Sequence, residues 1–83
     1  MDKILVKVYI PMLGENYDVW IPYNKKIYEV IGLLVNAVND LNNQKYNPVR
    51  IPILYDKQTG EEYDINASLK DTKIRNGTEM ILI

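Results

Sequence analysis

Neither cysteine nor histidine occurs in this 83-residue chain, and serine occurs once, at Ser68. Without cysteine there are no disulfide staples, no thiolate nucleophiles and no sulfur-ligated metal sites. Small secreted domains commonly rely on such staples, so their absence points to a reducing, cytoplasmic setting. Nucleophilic catalysis pairs a serine or cysteine with a base. Here no histidine can serve as that base, and capping a helical turn accounts for the lone serine. The four glycines are scattered singly, so no phosphate cradle is present. Formal net charge is −1 with both signs interspersed, which gives no general attraction to nucleic acid or anionic membrane. The longest apolar stretch, Val30 to Val38, is broken by Gly32 and Asn36. It is far shorter than the roughly 20 residues of a spanning helix, so no membrane insertion is expected. Met1-Asp2-Lys3-Ile4 carries no basic n-region and is expected to be a mature start. These absences lead to the expectation of a chain that is not an enzyme and holds no cofactor or metal. Glu61, Glu62 and Asp64 form the densest acidic cluster. A calcium site needs about 6–8 oxygens from a shaped loop, so the cluster is expected to be solvated.

What is present suffices for one core. A chain of this length buries only about 60–65% of the surface that its unfolded form exposes. The 47% hydrophobic and 25% charged residues therefore predict a single folded domain over 1–83. Ile4, Val6, Val8 and Ile10 alternate with Leu5, Lys7 and Tyr9, which predicts a strand over 3–10 packed on one side. Pro11 to Asn16 reads as a turn containing Gly14, and Tyr17, Val19 and Ile21 alternate with Asp18 and Trp20 in a second strand over 16–22. The period then changes to 3.6. Ile27, Val30, Ile31, Leu34, Val35, Val38 and Leu41 fall on one stripe of a core-facing helix over 25–41. Asn24 is its expected N-cap, and Asn42-Asn43 suits its end. Lys25-Lys26 at the helix start reads as exposed lysines that aid solubility, although the macrodipole disfavours them there.

Val49 to Tyr55 reads as a third strand, with Pro52 turned away from a ladder partner because it lacks a donor. Asp56 to Gly60 is a loop, and Glu61 to Ile65 is expected to add a short edge strand. Ser68 to Asp71 suits one helical turn with Ser68 as its cap, Asn76-Gly77 is a strong turn signal, and Thr78 to Ile83 is the last strand. The order is ββαβ(β)β.

That order resembles ubiquitin and its relatives across essentially the whole chain. Ile4 to Val8 with Leu13-Gly14 at the hairpin tip is similar to the family's opening, and Ile27, Val30 and Leu34 repeat its helix spacing. The segment Ser68-Leu69-Lys70-Asp71-Thr72-Lys73-Ile74-Arg75-Asn76-Gly77-Thr78-Glu79-Met80-Ile81-Leu82 resembles the family signature Leu-x-Asp-x-x-Ile, a turn, then an alternating apolar strand. In that signature Leu69 and Ile74 anchor a turn over the core, and Met80 and Leu82 point inward. The form of this segment is most similar to the bacterial YukD-like group, small ubiquitin-like proteins associated with type VII (ESX-type) secretion. The resemblance implies an α+β, ubiquitin-like β-grasp fold: a mixed four- to five-stranded sheet with one helix on one face, in the order 2-1-5-3-4. The third strand, with Pro48 and Pro52, and a longer loop over 56–64 depart from the family pattern.

Modifiers and sulfur carriers of this fold act through a flexible Gly-Gly tail, whereas this chain ends Met80-Ile81-Leu82-Ile83. The resemblance therefore implies a non-covalent protein-interaction module. A helix on one face leaves Leu5, Tyr9, Trp20, Ile81 and Ile83 on the other, and the implied strand order sets Pro52 or Leu54 beside them. Leu13 and Met12 at the hairpin tip extend the patch. An exposed apolar patch with an aromatic anchor is a candidate protein-binding surface. Leu5, Tyr9, Leu13, Trp20, Leu54, Ile81 and Ile83 are thus the expected contact residues. Components of a secretion apparatus, or a second copy forming a homodimer through the sheet, are the expected partners. The alternatives are a modifier or sulfur carrier, or a ubiquitin-like domain of a larger assembly protein.

Overall fold

The computed structural model describes residues 2–43 and 45–83. Two strands, β1 (Lys3–Ile10) and β2 (Glu15–Pro22), form an antiparallel hairpin. They are followed by α1 (Ile27–Leu41), a short β3 (Leu54–Asp56), a 3-10 turn (Leu69–Asp71) and β4 (Glu79–Leu82). The sheet order is β2-β1-β4-β3, with β4 parallel to β1 and antiparallel to β3. The expected fifth strand over 61–65 reduces to a single bridge between Tyr55 and Glu62. The sheet therefore has four strands.

Alternation along β1 and β2 sends Val6, Val8, Ile10, Val19 and Ile21 into the core, as their spacing predicts. Ile27, Val30, Ile31, Leu34 and Val38 of α1 meet them there, joined by Met80 and Leu82 of β4 and by Leu69 and Ile74. No polar side chain is buried in the core among the described residues. The stripe ends earlier than its periodicity suggests, because Leu41 is 61% exposed. The helix stops there: Asn42 is the C-cap and Asn43 follows with φ 55°, the left-handed conformation that asparagine tolerates. Tyr46 then returns to the core, its backbone N–H donating to Asn39 Oδ1 at 3.2 Å.

The helix also starts two residues later than predicted, with Lys26 rather than Asn24 at the N-cap. Its first donors are satisfied without a capping side chain at that position. Ile27 N–H donates to the Ala67 carbonyl at 2.9 Å and Tyr28 N–H to the Ile65 carbonyl at 3.1 Å. Glu29 Oε1 accepts from the Lys26 N–H at 3.0 Å. The segment before the 3-10 turn thus supplies what a cap would otherwise provide. Ser68 occupies the N-cap of that turn, but its side chain makes no capping bond.

The third strand differs most from expectation. The chain bends at Val49 and Arg50, and ladder pairing covers only Leu54 to Asp56. Ile53 and Ile83 still exchange backbone bonds of 2.8 and 3.0 Å, so Pro52, at the intervening position, forfeits no ladder donor. Its ring is buried. Leu54 pairs with Leu82 and is 1% exposed, so it is a core residue and not part of the open face.

Asp56 organises the loop that follows. Its Oδ1 accepts from the N–H groups of Gln58 (2.7 Å) and Thr59 (3.1 Å), and its Oδ2 accepts from the Tyr63 hydroxyl at 3.1 Å. Burial pushes the carboxyl up. The Thr59 and Gln58 amides, the Tyr63 hydroxyl and the charge of Lys73 outweigh it and hold the group below its ordinary value. Tyr63 moves the opposite way, raised by burial and then by its bond to Asp56.

Three substitutions test this account. Leu54→Ala should cost about 2–5 kcal/mol of unfolding free energy in a urea titration. Trp20→Ala should cost about 1 kcal/mol or less, the scale of a cross-strand pair. Equal losses would place Leu54 outside the core. A carboxyl whose folded pKa is depressed binds fewer protons folded than unfolded. Its stabilisation is complete above the ordinary value of 3.8 and is lost as pH falls through the folded value. Asp56→Asn should therefore lower stability at pH 7 and flatten the acid limb of a stability–pH curve relative to wild type. Parallel limbs would remove Asp56 as the linked group.

Candidate functional site: the open face of the sheet

α1 lies on the side of the sheet toward which Val6, Val8, Met80 and Leu82 point, so the alternate residues form the other side. Register fixes which residues meet there. Trp20 stands opposite Leu5 on the β2–β1 pair. Tyr9 stands opposite Ile81, and Ile81 opposite Tyr55, so three side chains cross the β1–β4–β3 strands in one row. Ile83 and Ile53 continue beyond that row.

Between the two apolar groups runs a line of charge. Lys7 pairs in register with Asp18 on β2 and with Glu79 on β4. Lys57 Nζ lies 3.7 Å from Glu79 Oε1 and 5.7 Å from the centroid of the Tyr9 ring. Both members of the ion pair are substantially exposed, so it contributes at most about 1 kcal/mol, and its main effect is positional. The stem of Lys57 brings the ammonium over an aromatic face on the open side. The face is therefore two apolar clusters, Leu5/Trp20 and Tyr9/Ile81/Tyr55, separated by an alternating row of charges.

The seven expected contact residues divide accordingly. Trp20 is 61% exposed and Ile83 is exposed, while Leu5, Tyr9 and Ile81 are half-buried on the open side. Leu13 is half-buried and packs against the core from the hairpin tip, so it does not extend the open face; Met12 beside it is exposed. Leu54 belongs to the interior, and so does Pro52. Tyr55 and Lys57 take the place assigned to them. Opposed residues in an antiparallel pair share a face, so an inward Leu82 already requires an inward Leu54 and an outward Tyr55. The signal was hidden because Ile51, Pro52, Ile53, Leu54 and Tyr55 are all apolar, and an unbroken apolar run has no readable phase.

Other clusters offer less. Glu61, Glu62 and Asp64 are exposed, and Asp64 Oδ1 is engaged by the Asn66 N–H at 2.9 Å. Among the described residues no group of acidic side chains is arranged to hold a metal ion, and no helix is long and apolar enough to cross a membrane.

No protein-family model and no curated protein matches the sequence. Solved structures do match, over the whole chain. The ubiquitin-like domain of the type VII secretion system protein EccD1 of Mycobacterium tuberculosis aligns with a TM-score of 0.76 at 12% identity, covering 100% of this chain and 99% of that one. A chain of an ESX-5 inner membrane complex aligns with a TM-score of 0.78 at 17% identity; this chain is covered fully and that one over 21% of its length. The ubiquitin-like domain of an Arabidopsis thaliana protein aligns with a TM-score of 0.68 at 19% identity, covering 100% and 78%. At such identities what is shared is the path of the backbone. With one helix across a mixed four-stranded sheet and parallel first and last strands, the chain has the ubiquitin-like β-grasp fold.

Proposed function

We propose that this domain is a non-covalent protein-interaction module that acts through the open face of its sheet, as a ubiquitin-like adaptor of a type VII (ESX-type) secretion apparatus on its cytoplasmic side. The observation that carries the interaction role is Trp20. It is a large aromatic side chain, 61% exposed, on a face that no other part of the described chain covers. Indole rings supply much contact area at little entropic cost and are enriched at the centres of interfaces. The flanking charges Asp18, Lys7, Glu79 and Lys57 suit a rim that sets register more than affinity.

The secretion setting is supported by backbone likeness to a domain of EccD1 and to part of an ESX-5 inner membrane complex chain. The Leu69 to Leu82 segment, with its YukD-like form, points the same way. We read the chain as non-enzymatic. Fold alone does not assign a role, so the reading rests on the face and its test.

Affinity capture from the native host lysate should recover secretion components with wild type and lose them with Trp20→Ala combined with Tyr55→Ala. Equal recovery by both would remove the sheet face from the interaction. Sedimentation of the purified chain tests the homodimer: a concentration-dependent dimer abolished by Trp20→Ala would assign the face to a second copy. In the host, deleting the gene should impair export of small helical substrates while growth continues. Unchanged export would overturn the secretion role and leave the binding role standing.

A further inference from the structure

The helix side of the molecule carries a second surface that the sheet-face reading does not use. A groove of about 580 Å3 runs between α1 and the segment before β3, with Tyr28, Gly32 and Val35 on one wall and Arg50, Ile51 and Pro52 on the other. Beside it stand the two most exposed large apolar side chains among the described residues, Val49 at 97% and Ile51 at 82%. Two β-branched residues presented to water on a bend, where β-ladder pairing does not explain them, are a feature that folding alone does not require.

Gly32 is the second observation. It sits in the interior of α1, where glycine is the least favourable residue after proline. Its φ is not positive, and a Cβ built on it would meet nothing within 4 Å. Neither backbone conformation nor packing inside this chain calls for glycine there. What its absent side chain provides is a notch in the Tyr28–Gly32–Asn36 ridge, open to the groove.

The lining selects its occupant. Among the described residues Arg50 is the one charged residue of the groove lining, and it has no carboxylate partner there. The backbone of α1 is bonded within the helix, Pro48 and Pro52 carry no N–H, and the chain between them bends. An extended peptide would find no straight edge on which to satisfy its own backbone. A helix satisfies its backbone internally and needs only apolar side chains and a countercharge. From Tyr28 to Asn36 the groove runs about 12 Å along α1, two turns, which matches apolar residues at i, i+4 and i+7 of a docked helix.

We infer that this groove receives an amphipathic helix from another protein, with an apolar side chain seated over Gly32 between Tyr28 and Ile51 and a carboxylate against Arg50. The inference is independent of the sheet face. Two 16-residue alanine-based helical peptides, identical in their leucines at i, i+4 and i+7 but carrying glutamate or lysine beside them, are titrated into the 15N-labelled protein. The glutamate peptide should shift the amides of Tyr28, Gly32 and Ile51 and bind about tenfold more tightly than the lysine peptide. Arg50→Glu should reverse that preference. Gly32→Leu should lose binding at least about tenfold while its melting temperature stays at or above that of wild type, which separates a filled notch from an unfolded domain. Shifts centred on Trp20 and Ile81, equal binding of both peptides, or no shift at millimolar peptide would each overturn the inference. So would a concentration-dependent dimer perturbing the groove residues, because the occupant would then be a second copy.

Discussion

β1 and β4 lie side by side and parallel, Val8 opposite Met80, although they stand at opposite ends of the chain. β2 and β3 are each antiparallel to a member of this pair and so run the same way, which obliges the chain between them to travel the length of the sheet on one of its faces. α1 makes that journey and buries Ile27, Val30, Ile31, Leu34 and Val38 against the strands on the way. The clasp that sets the register is local and polar. Asn76 Oδ1 accepts the Leu5 N–H, and the Gly77 N–H donates to the Leu5 carbonyl, both at 2.7 Å. Gly77 holds φ at 92°, a conformation that other residues rarely adopt, so the turn chemistry and the central pairing are one constraint.

A sheet covered on one face has a second face whose composition cannot be decided by the core. In this chain the strongly apolar strands that the core demands carry over to the outside, because β-propensity favours the same residue types on either face. The alternating row Asp18, Lys7, Glu79 and Lys57 divides that outside surface into two clusters. Such a division keeps any single apolar patch small in the free protein while leaving Trp20 available. It also limits edge-to-edge association, since charges beside a strand discourage indiscriminate pairing.

Where the sequence alternates cleanly, the fold is legible. β1, β2 and α1 each display one period, and the structure places their inward residues as that period requires, with Leu41 lost where the helix ends. Leu69 and Ile74 are legible for another reason: a spaced pair of large aliphatics around a short polar turn has few uses other than anchoring it, and both are fully buried. The stretch from Tyr46 to Tyr55 has no such regularity. Tyr46 enters the core from a segment without helix or strand, and no periodicity marks it. Ile51 to Tyr55 is apolar at every position, so its phase is set by pairing with β4 and not by its own pattern, and that is why Leu54 moves from the expected contact surface to the interior. The helix start illustrates the same limit. A side-chain cap can be read locally, but carbonyls arriving from Ile65 and Ala67, some forty residues later, cannot.

The segment least legible in the sequence also carries the two most exposed large apolar side chains among the described residues. In the core, each apolar side chain is accounted for by a neighbour, and a substitution is constrained by volume on every side. Among the described residues Val49 and Ile51 are 97% and 82% exposed, and a Cβ on Gly32 would meet nothing within 4 Å, so internal packing places little demand on them. Residues free of internal demand drift toward the polar, helix-favouring types that water and propensity prefer. A glycine inside a helix facing the exposed Ile51 across a groove runs against both preferences at once. The helical ligand proposed for the groove would account for that arrangement, since the lining is apolar and, among the described residues, the Arg50 guanidinium has no carboxylate partner.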